Sequence, residues 1–148
     1  EEAPAGDYAV EVKLNIDLPD SGCCFNYSQG GLVIYGDDNR FLKVAVFSNF
    51  NTRQIEFAKE VAAGTEGYPR YGNTVLASPG RDTWLRVVRR ASGNEETYTG
   101  YSSRDGVNWT RGGTWTHALG QARIGLVSMG GQGFTTRFDY VRVYRLKD

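Results

Sequence analysis

The chain has 148 residues, and its 17 basic and 17 acidic side chains give a formal net charge of zero. That length is sufficient for one domain with a sizeable core, and the balanced charge does not indicate a nucleic acid or an anionic membrane as a partner. Glycine is abundant at 19 residues, nine tyrosines and three tryptophans are present, and no apolar run approaches the ~18 residues of a membrane-spanning helix.

The clearest predicted strand runs from Tyr8 to Leu18. Its large apolar residues occupy every second position, and from Glu11 to Asp17 the positions between them carry charged or amide side chains. This alternation is typical of a strand with one buried face. Residues 1–6 combine proline, alanine, glycine and acidic residues, so we expect a linker remnant there and a single domain over residues 7–148.

Three further strands are predicted, separated by turns rich in aspartate, asparagine and glycine. They cover Gly31–Tyr35, Phe41–Phe47 and Arg53–Lys59. One parity of these strands is apolar and is predicted to face the core: Leu32, Ile34, Leu42, Val44, Val46, Ile55 and Phe57. The opposite parity is mixed polar and aromatic, and it includes Tyr35, Lys43, Gln54 and Glu56.

The segment from Glu60 to Arg81 is predicted to be a long irregular connection, because glycine and proline recur along it. One short strand is expected near Thr74–Ala77. Long loops in compact domains often carry function. Tyr68 and Tyr71 are therefore candidates for ligand contact, and packing of the loop onto the body is the alternative.

The segment from Thr83 to Trp115 predicts an antiparallel meander. Its runs of β-branched and aromatic residues are separated by a polar, glycine-containing connection and by a tight turn at Asp105-Gly106. Leu85 and Val87 are predicted to face the core. The opposite face carries Trp84, Arg86, Thr99 and Tyr101.

Two more strands are predicted at Gln121–Met129 and Thr135–Leu146. The last strand is expected beside the first, so that both termini lie on one sheet. No helix of ordinary length is predicted. About nine short strands separated by turns predict an all-β fold, a two-layer antiparallel β-sandwich.

We predict a ligand-binding surface on the open face of this sandwich. It would bring together Tyr35, Lys43, Gln54, Glu56, Trp84, Arg86, Thr99 and Tyr101. Tyrosine and tryptophan rings offer stacking area to the C–H surfaces of sugars, and arginine, glutamate and glutamine offer paired hydrogen bonds to hydroxyl groups. The alternative is an ordinary solvated sheet face with cross-strand ion pairs.

The sequence contains no recognisable catalytic motif, so we expect a non-enzymatic protein. Glycoside hydrolysis needs two facing carboxyl groups, about 5–5.5 Å apart for retention or ~6.5–9.5 Å apart for inversion, whereas Glu95 and Glu96 would point to opposite faces of a strand. His117 is the single histidine and has no evident nucleophilic partner. The adjacent Cys23 and Cys24 are expected to be small buried thiols, with intermolecular pairing or a redox switch as the alternatives.

Four segments together resemble the concanavalin A-like, or laminin-G-like, jelly-roll domains: GLVIYGDDNRFLKV, WLRVVRR, YSSRDGVNW and RFDYVRVY. The resemblance extends from Asp7 to Tyr144. The sequence is similar in particular to the domains attached to secreted bacterial glycoside hydrolases such as family 43 xylosidases and arabinofuranosidases. This resemblance implies a secreted jelly-roll domain that either binds carbohydrate or braces a neighbouring catalytic domain.

The resemblance also implies a structural calcium ion, for which Asp7 and Asp139 are candidate ligands near the paired termini. The piece from Ser103 to Trp109 resembles the Asp box of sialidase-type hairpins, with one residue fewer before the glycine. In that motif the aspartate closes the turn and the tryptophan packs on it, which implies structural roles for Asp105 and Trp109.

We therefore expect a non-catalytic, carbohydrate-binding accessory module of a secreted polysaccharide-degrading enzyme. Its expected partners are a polysaccharide or oligosaccharide and a catalytic domain in the same full-length chain, with no nucleic acid and no membrane. Two alternatives stay open. One is a non-binding structural domain that packs on a catalytic partner, and the other is a glycoside hydrolase or polysaccharide lyase with an unrecognised site.

Overall fold

The computed structural model describes residues 1–19, 25–65, 69–131 and 133–147. These residues form ten strands: β1 Tyr8–Ile16, β2 Gln29–Asp37, β3 Arg40–Asn49, β4 Thr52–Glu60, β5 Tyr71–Ala77, β6 Asp82–Ser92, β7 Glu95–Ser103, β8 Trp109–Thr116, β9 Arg123–Met129 and β10 Thr136–Arg145. Sheet A has the order β5-β4-β3-β2-β9, and sheet B has the order β10-β1-β6-β7-β8. All neighbouring strands are antiparallel, and the predicted all-β two-layer sandwich is confirmed.

One hydrophobic core lies between the two sheets. The residues predicted to face it are fully buried: Leu32, Ile34, Leu42, Val44, Val46, Ile55, Phe57, Leu85 and Val87. Sheet B adds Val10 and Val12 from β1 and the ring of Tyr98 from β7. Because each large apolar side chain stabilises the fold by about 1.5–3 kcal/mol when buried, the period-two pattern of the sequence determines which side of each strand faces inward.

The first and last strands are neighbours in sheet B, as predicted, with Val10 opposite Val143. The segment before β1 also contacts the sandwich. Glu2 forms a bridge with Arg123, and the Ala3 amide donates a hydrogen bond to the Ala122 carbonyl at 2.9 Å. Residues 1–3 thus lie along the start of β9, and the linker role expected for residues 1–6 stays a prediction.

The predicted meander is confirmed, because β6, β7 and β8 are consecutive neighbours in sheet B. The Asp105 carboxylate closes the turn between β7 and β8. It accepts hydrogen bonds from the backbone amides of Val107 at 2.8 Å and Asn108 at 2.7 Å. The side chain and backbone amide of Asn108 hold the pKa of Asp105 well below its ordinary value. Gly106 has a φ of +76°, a left-handed conformation that favours glycine.

A buried polar cluster closes the end of the sandwich where β7 begins. The Glu96 carboxylate accepts hydrogen bonds from Tyr98 Oη at 2.8 Å and from the Leu119 amide at 3.1 Å. It also lies 3.0 Å from Arg89 Nη2. The buried His117 ring lies nearby, with Nε2 2.9 Å from the Glu60 carbonyl oxygen. This cluster ties β6, β7 and the connection to β9 together.

In the part of the chain that the structure describes, no helix has the length and apolar character needed to cross a lipid bilayer. Cys23, Cys24 and Tyr68, for which the sequence left alternatives open, lie outside the described residues.

Candidate functional site

The residues predicted to bind a ligand divide between two surfaces. Those on β2, β3 and β4 belong to sheet A, and they are Tyr35, Lys43, Gln54 and Glu56. Those on β6 and β7 belong to sheet B, and they are Trp84, Arg86, Thr99 and Tyr101. The two sheets enclose one core, so their outer faces point in opposite directions. The prediction of one shared surface is therefore wrong, because side-chain parity shows which side of a strand faces the core but not which sheet the strand joins.

The outer face of sheet A contains a buried ion pair between two of the predicted residues. Lys43 Nζ lies 3.1 Å from Glu56 Oε1, and the two residues are only 7% and 1% exposed. Tyr71 Oη donates a hydrogen bond to Glu56 Oε1 at 2.8 Å, and Asn73 Nδ2 donates one to Glu56 Oε2 at 3.1 Å. Burial and the Glu56 carboxylate raise the pKa of Tyr71 above its ordinary value. The carboxylate is thus bonded within the protein and shielded from solvent.

The remaining predicted residues of this face are half-buried. Tyr35 Oη donates a hydrogen bond to Asp38 Oδ1 at 2.5 Å, and the Arg123 guanidinium lies 5.1 Å from the centre of the Tyr35 ring. Gln54 lies near Thr52, with a separation of 3.5 Å between the side-chain oxygens. Of the predicted residues on sheet A, Tyr35 and Gln54 are thus the accessible ones, and the buried Lys43–Glu56 pair is not positioned to meet a ligand.

The outer face of sheet B contains an arginine that is held by a carboxylate and by an aromatic ring. Arg86 lies opposite Glu11 on β1 and opposite Tyr101 on β7. Its Nη2 and Nε atoms donate to Glu11 Oε2 at 2.6 and 3.1 Å. Its guanidinium carbon Cζ lies 3.8 Å from the centre of the Trp109 ring, within the range of a cation–π contact. The Glu11 carboxylate also accepts a hydrogen bond from Tyr140 Oη at 2.7 Å.

Trp84 packs against the turn that Asp105 closes. A Cβ atom added at Gly106 would meet the Trp84 indole at 2.9 Å, so this close approach requires glycine. The Lys13 ammonium group lies 5.3 Å from the centre of the same ring. The Asp-box resemblance implied that Trp109 would pack on the turn, but Trp84 packs there and Trp109 stacks on Arg86.

The other predicted residues of sheet B extend the same surface. Tyr101 is half-buried and lies opposite Arg111 on β8. The hydroxyl of Thr99 lies 2.8 Å from that of Thr114. We call this surface the sheet-B face, and it consists of Glu11, Trp84, Arg86, Thr99, Tyr101, Trp109, Arg111, Thr114, Tyr140 and Arg142. The sequence prediction missed Glu11, although it placed that residue on the polar side of the first strand.

The shielded carboxylates do not form a catalytic pair. Glu11 lies on the outer face of sheet B, Glu56 lies on that of sheet A, and Glu96 lies at the end of the core. Glycoside hydrolysis requires two carboxyl groups that flank one bond. These three glutamates therefore occupy three separate places and do not flank a common site.

The candidate calcium ligands have other partners. Asp7 accepts hydrogen bonds from Arg90 Nη1 at 2.9 Å and from the Ala91 amide at 2.8 Å, and Asp139 accepts one from Lys13 Nζ at 2.9 Å. Among the described residues, no group of three or more histidine, cysteine, aspartate or glutamate side chains is placed to hold a metal ion. Calcium binding stays a prediction.

Thermal unfolding with millimolar calcium and with EDTA checks the calcium prediction. An ion that binds the folded state and not the unfolded chain raises the midpoint of unfolding. A higher midpoint in calcium would support a bound ion, and equal midpoints in calcium and EDTA would contradict it.

No protein-family model and no curated protein matches this sequence. Solved structures of the same fold include a functionally unknown protein from Saccharomyces cerevisiae, 16% identical over 96% of this chain and 71% of that chain, with a TM-score of 0.70. A GH43 protein from Bacillus licheniformis is 20% identical over 93% of this chain and 27% of its own length, with a TM-score of 0.62. A legume lectin-like domain from Entamoeba histolytica is 18% identical over 99% of this chain and 76% of that domain, with a TM-score of 0.62.

These likenesses define the class of fold: the chain is a concanavalin A-like jelly-roll sandwich, as the sequence resemblance implied. The chain spans about a quarter of the GH43 protein that it matches, 27% of that length. At such low identity the likeness concerns the fold alone.

Proposed function

We propose that this chain is a non-catalytic carbohydrate-binding module and that it binds glycan on the sheet-B face. The observation that carries the proposal is the fixed position of Arg86, which is bonded to Glu11 and stacked on Trp109 at 3.8 Å on an open sheet surface. A planar guanidinium held this way keeps free N–H groups in a set orientation, so a ligand loses less of its binding free energy to ordering the protein.

The neighbours of Arg86 supply the other contacts that a sugar needs. Tyr101 lies beside Arg86 in register and offers ring surface for sugar C–H groups. Arg111 and Thr114 are exposed on the next strand and offer donors to hydroxyl groups. Aromatic area and polar groups therefore alternate across adjacent strands, which is the chemistry that recognises a polysaccharide on a flat surface.

The comparisons support this proposal at the level of the fold. Similar sandwiches are found in a GH43 protein, where the match covers 27% of the chain, and in a legume lectin-like domain. We propose that the module belongs to a longer secreted chain with a catalytic domain that degrades polysaccharides. In such a chain the module would hold the catalytic domain close to its substrate and raise its effective concentration there.

Replacing Tyr101 with alanine is the first test. A glycan array identifies a ligand, and calorimetry then compares the variant with the parent chain. We expect affinity to fall at least five-fold, about 1 kcal/mol, because the substitution removes ring surface from the centre of the sheet-B face. Tyr35→Ala is the matched control, since it removes the same ring from the outer face of sheet A, and it should bind like the parent.

The two variants also decide between the two faces. If Tyr35→Ala weakens binding and Tyr101→Ala does not, the site lies on sheet A and the sheet-B proposal is wrong. Circular dichroism should show that both variants are folded, because both tyrosines are at most half-buried. Arg86→Ala is less informative, since it also leaves the buried Glu11 carboxylate without its cationic partner.

A second candidate function, a structural domain that packs on a catalytic partner, is favoured by two exposed apolar side chains. Leu126 on β9 and Val141 on β10 have the parity of the core, since they lie opposite Leu32 and Val12. They nevertheless remain 43% and 40% exposed, because β9 and β10 are edge strands of opposite sheets. Exposed apolar surface of this kind is what an interdomain contact would cover. A folded domain that binds no glycan on the array would favour this candidate.

A further inference from the structure

A pocket of about 570 Å³ opens at the end of the sandwich, where β1 ends and β10 begins. Its volume lies within the ~300–1,000 Å³ that is typical of small-molecule sites. The charged side chains that line it are Arg53, Arg81, Arg104, Arg137 and Asp17. Because the whole chain has a net charge of zero, this excess of arginine is a local feature of the pocket.

Three of the arginines are available to a ligand. Arg81, Arg104 and Arg137 are exposed, and within the described residues none of them forms an ion pair with a carboxylate. Arg53 differs, because it donates hydrogen bonds to backbone carbonyls, including that of Thr52 at 3.1 Å. The pocket therefore brings three guanidinium groups to one opening, and among the described residues Asp17 is the one carboxylate in its lining.

The backbone at Gly80 and Arg81 is held in place. Asn15 Nδ2 donates a hydrogen bond to the Arg81 carbonyl oxygen at 2.7 Å. The Thr83 hydroxyl bonds both the amide and the carbonyl of Gly80, at 3.2 and 3.3 Å. A Cβ atom added at Gly80 would lie 3.4 Å from Arg104 Nε, so the backbone at Gly80 packs directly against the Arg104 side chain. This side of the pocket is thus formed without a ligand.

The rest of the lining is partly apolar and includes Ile16, Leu18, Val46 and Pro79. A small inorganic anion would leave this surface unused. A ligand that carries both an anionic group and a C–H surface would use both parts of the pocket. Asp17 adds an acceptor for a hydroxyl donor and opposes a second negative charge on the ligand.

We propose that this pocket binds a sugar that carries one carboxylate, a uronic acid or a uronate residue of a polysaccharide. The planar carboxylate matches the fork of N–H donors on arginine, and such pairs form charge-assisted, two-point hydrogen bonds. The sugar ring covers the apolar lining, and a ring hydroxyl donates to Asp17. This site is separate from the sheet-B face, so it holds or fails independently of glycan binding there.

The test is an NMR titration of the 148-residue chain with glucuronic acid and, separately, with glucose. Glucuronic acid should shift the side-chain Nε–H signals of Arg81, Arg104 and Arg137 in a saturable way. Glucose should bind at least ten-fold more weakly, because it lacks the carboxylate. Raising the salt concentration should weaken the glucuronic acid complex, since exposed charges are screened. Equal affinity for the two sugars would overturn the proposal.

Arg137→Gln is the informative variant, and Arg145→Gln is its matched control. Both substitutions remove one positive charge from β10, but Arg145 lies at the far end of that strand, roughly 27 Å away and outside the pocket lining. Arg137→Gln should weaken glucuronic acid binding at least five-fold, and Arg145→Gln should not change it. Equal loss in both variants would show a non-specific charge effect and overturn the proposal. Binding of an acidic peptide or a sulfated sugar in preference to glucuronic acid would also overturn it, in favour of a protein or sulfate site.

Discussion

Replacing Glu56 with alanine is expected to lower the free energy of unfolding by about 3–5 kcal/mol. Glu56 is 1% exposed, and its carboxylate lies 3.1 Å from the buried Lys43 ammonium group. Without the carboxylate, the buried Lys43 side chain loses its charge partner. Tyr71 and Asn73 also lose their acceptor. Urea unfolding of the parent and the variant measures the difference.

Glu60→Ala is the matched control for Glu56→Ala. Glu60 lies on the same strand and the same face, but its partner Arg70 is largely exposed. Surface pairs of this kind contribute about 0–1 kcal/mol, so the control should unfold nearly like the parent. The double variant Lys43→Met with Glu56→Leu should recover most of the loss, because it removes both charges and refills the volume. Unchanged stability of Glu56→Ala would show that the pair is not structural and would return Glu56 to the candidate ligand-binding residues.

The Lys43–Glu56 pair illustrates what could be predicted from the sequence and what could not. The alternation in β3 and β4 correctly placed both residues on the side away from the core. It did not predict their burial, because burial on an outer face depends on neighbours such as Tyr71, which comes from β5. A side chain can therefore point away from the core and still be closed to solvent.

The alternation of residues along each strand also could not predict which sheet the strand joins. β2, β3 and β4 pair with each other through short connections, and so do β6, β7 and β8. The strand patterns in both groups look alike, since each sheet has one core-facing side. The sequence-based prediction therefore placed residues from two opposite outer faces on one surface. Within each sheet, the predicted residues do point away from the core, as expected.

The sequence prediction also missed contacts between residues that are far apart in the chain. Glu11, Arg86 and Tyr140 meet on the sheet-B face, although 75 and 129 residues separate Glu11 from the other two. Only the pairing of β1 with β6 and β10 brings them together. The arginine pocket likewise collects residues from the ends of several strands, and no local motif marks such a site.

Replacing Glu96 with glutamine is expected to lower the free energy of unfolding at pH 7 by about 3 kcal/mol or more, because the shielded Arg89 loses its anionic partner. Glutamine keeps the shape of the side chain, so the loss of stability measures the contribution of the negative charge. Glu95→Gln is the matched control, since Glu95 is the neighbouring residue and is exposed. The control should unfold like the parent at every pH.

The loss caused by Glu96→Gln should also depend on pH. Burial by itself raises the pKa of Glu96, but hydrogen bonds from Tyr98 and Arg89 outweigh it and hold the pKa below its ordinary value of 4.5. A carboxyl group whose pKa is lower in the folded state stabilises the fold fully above its unfolded-state pKa, and this contribution is lost as the pH falls through the folded-state pKa. Urea unfolding at pH 7 and pH 3 should therefore show a smaller difference between parent and variant at pH 3. A difference of the same size at both pH values would mean that the ionised form of Glu96 does not hold this end of the sandwich together.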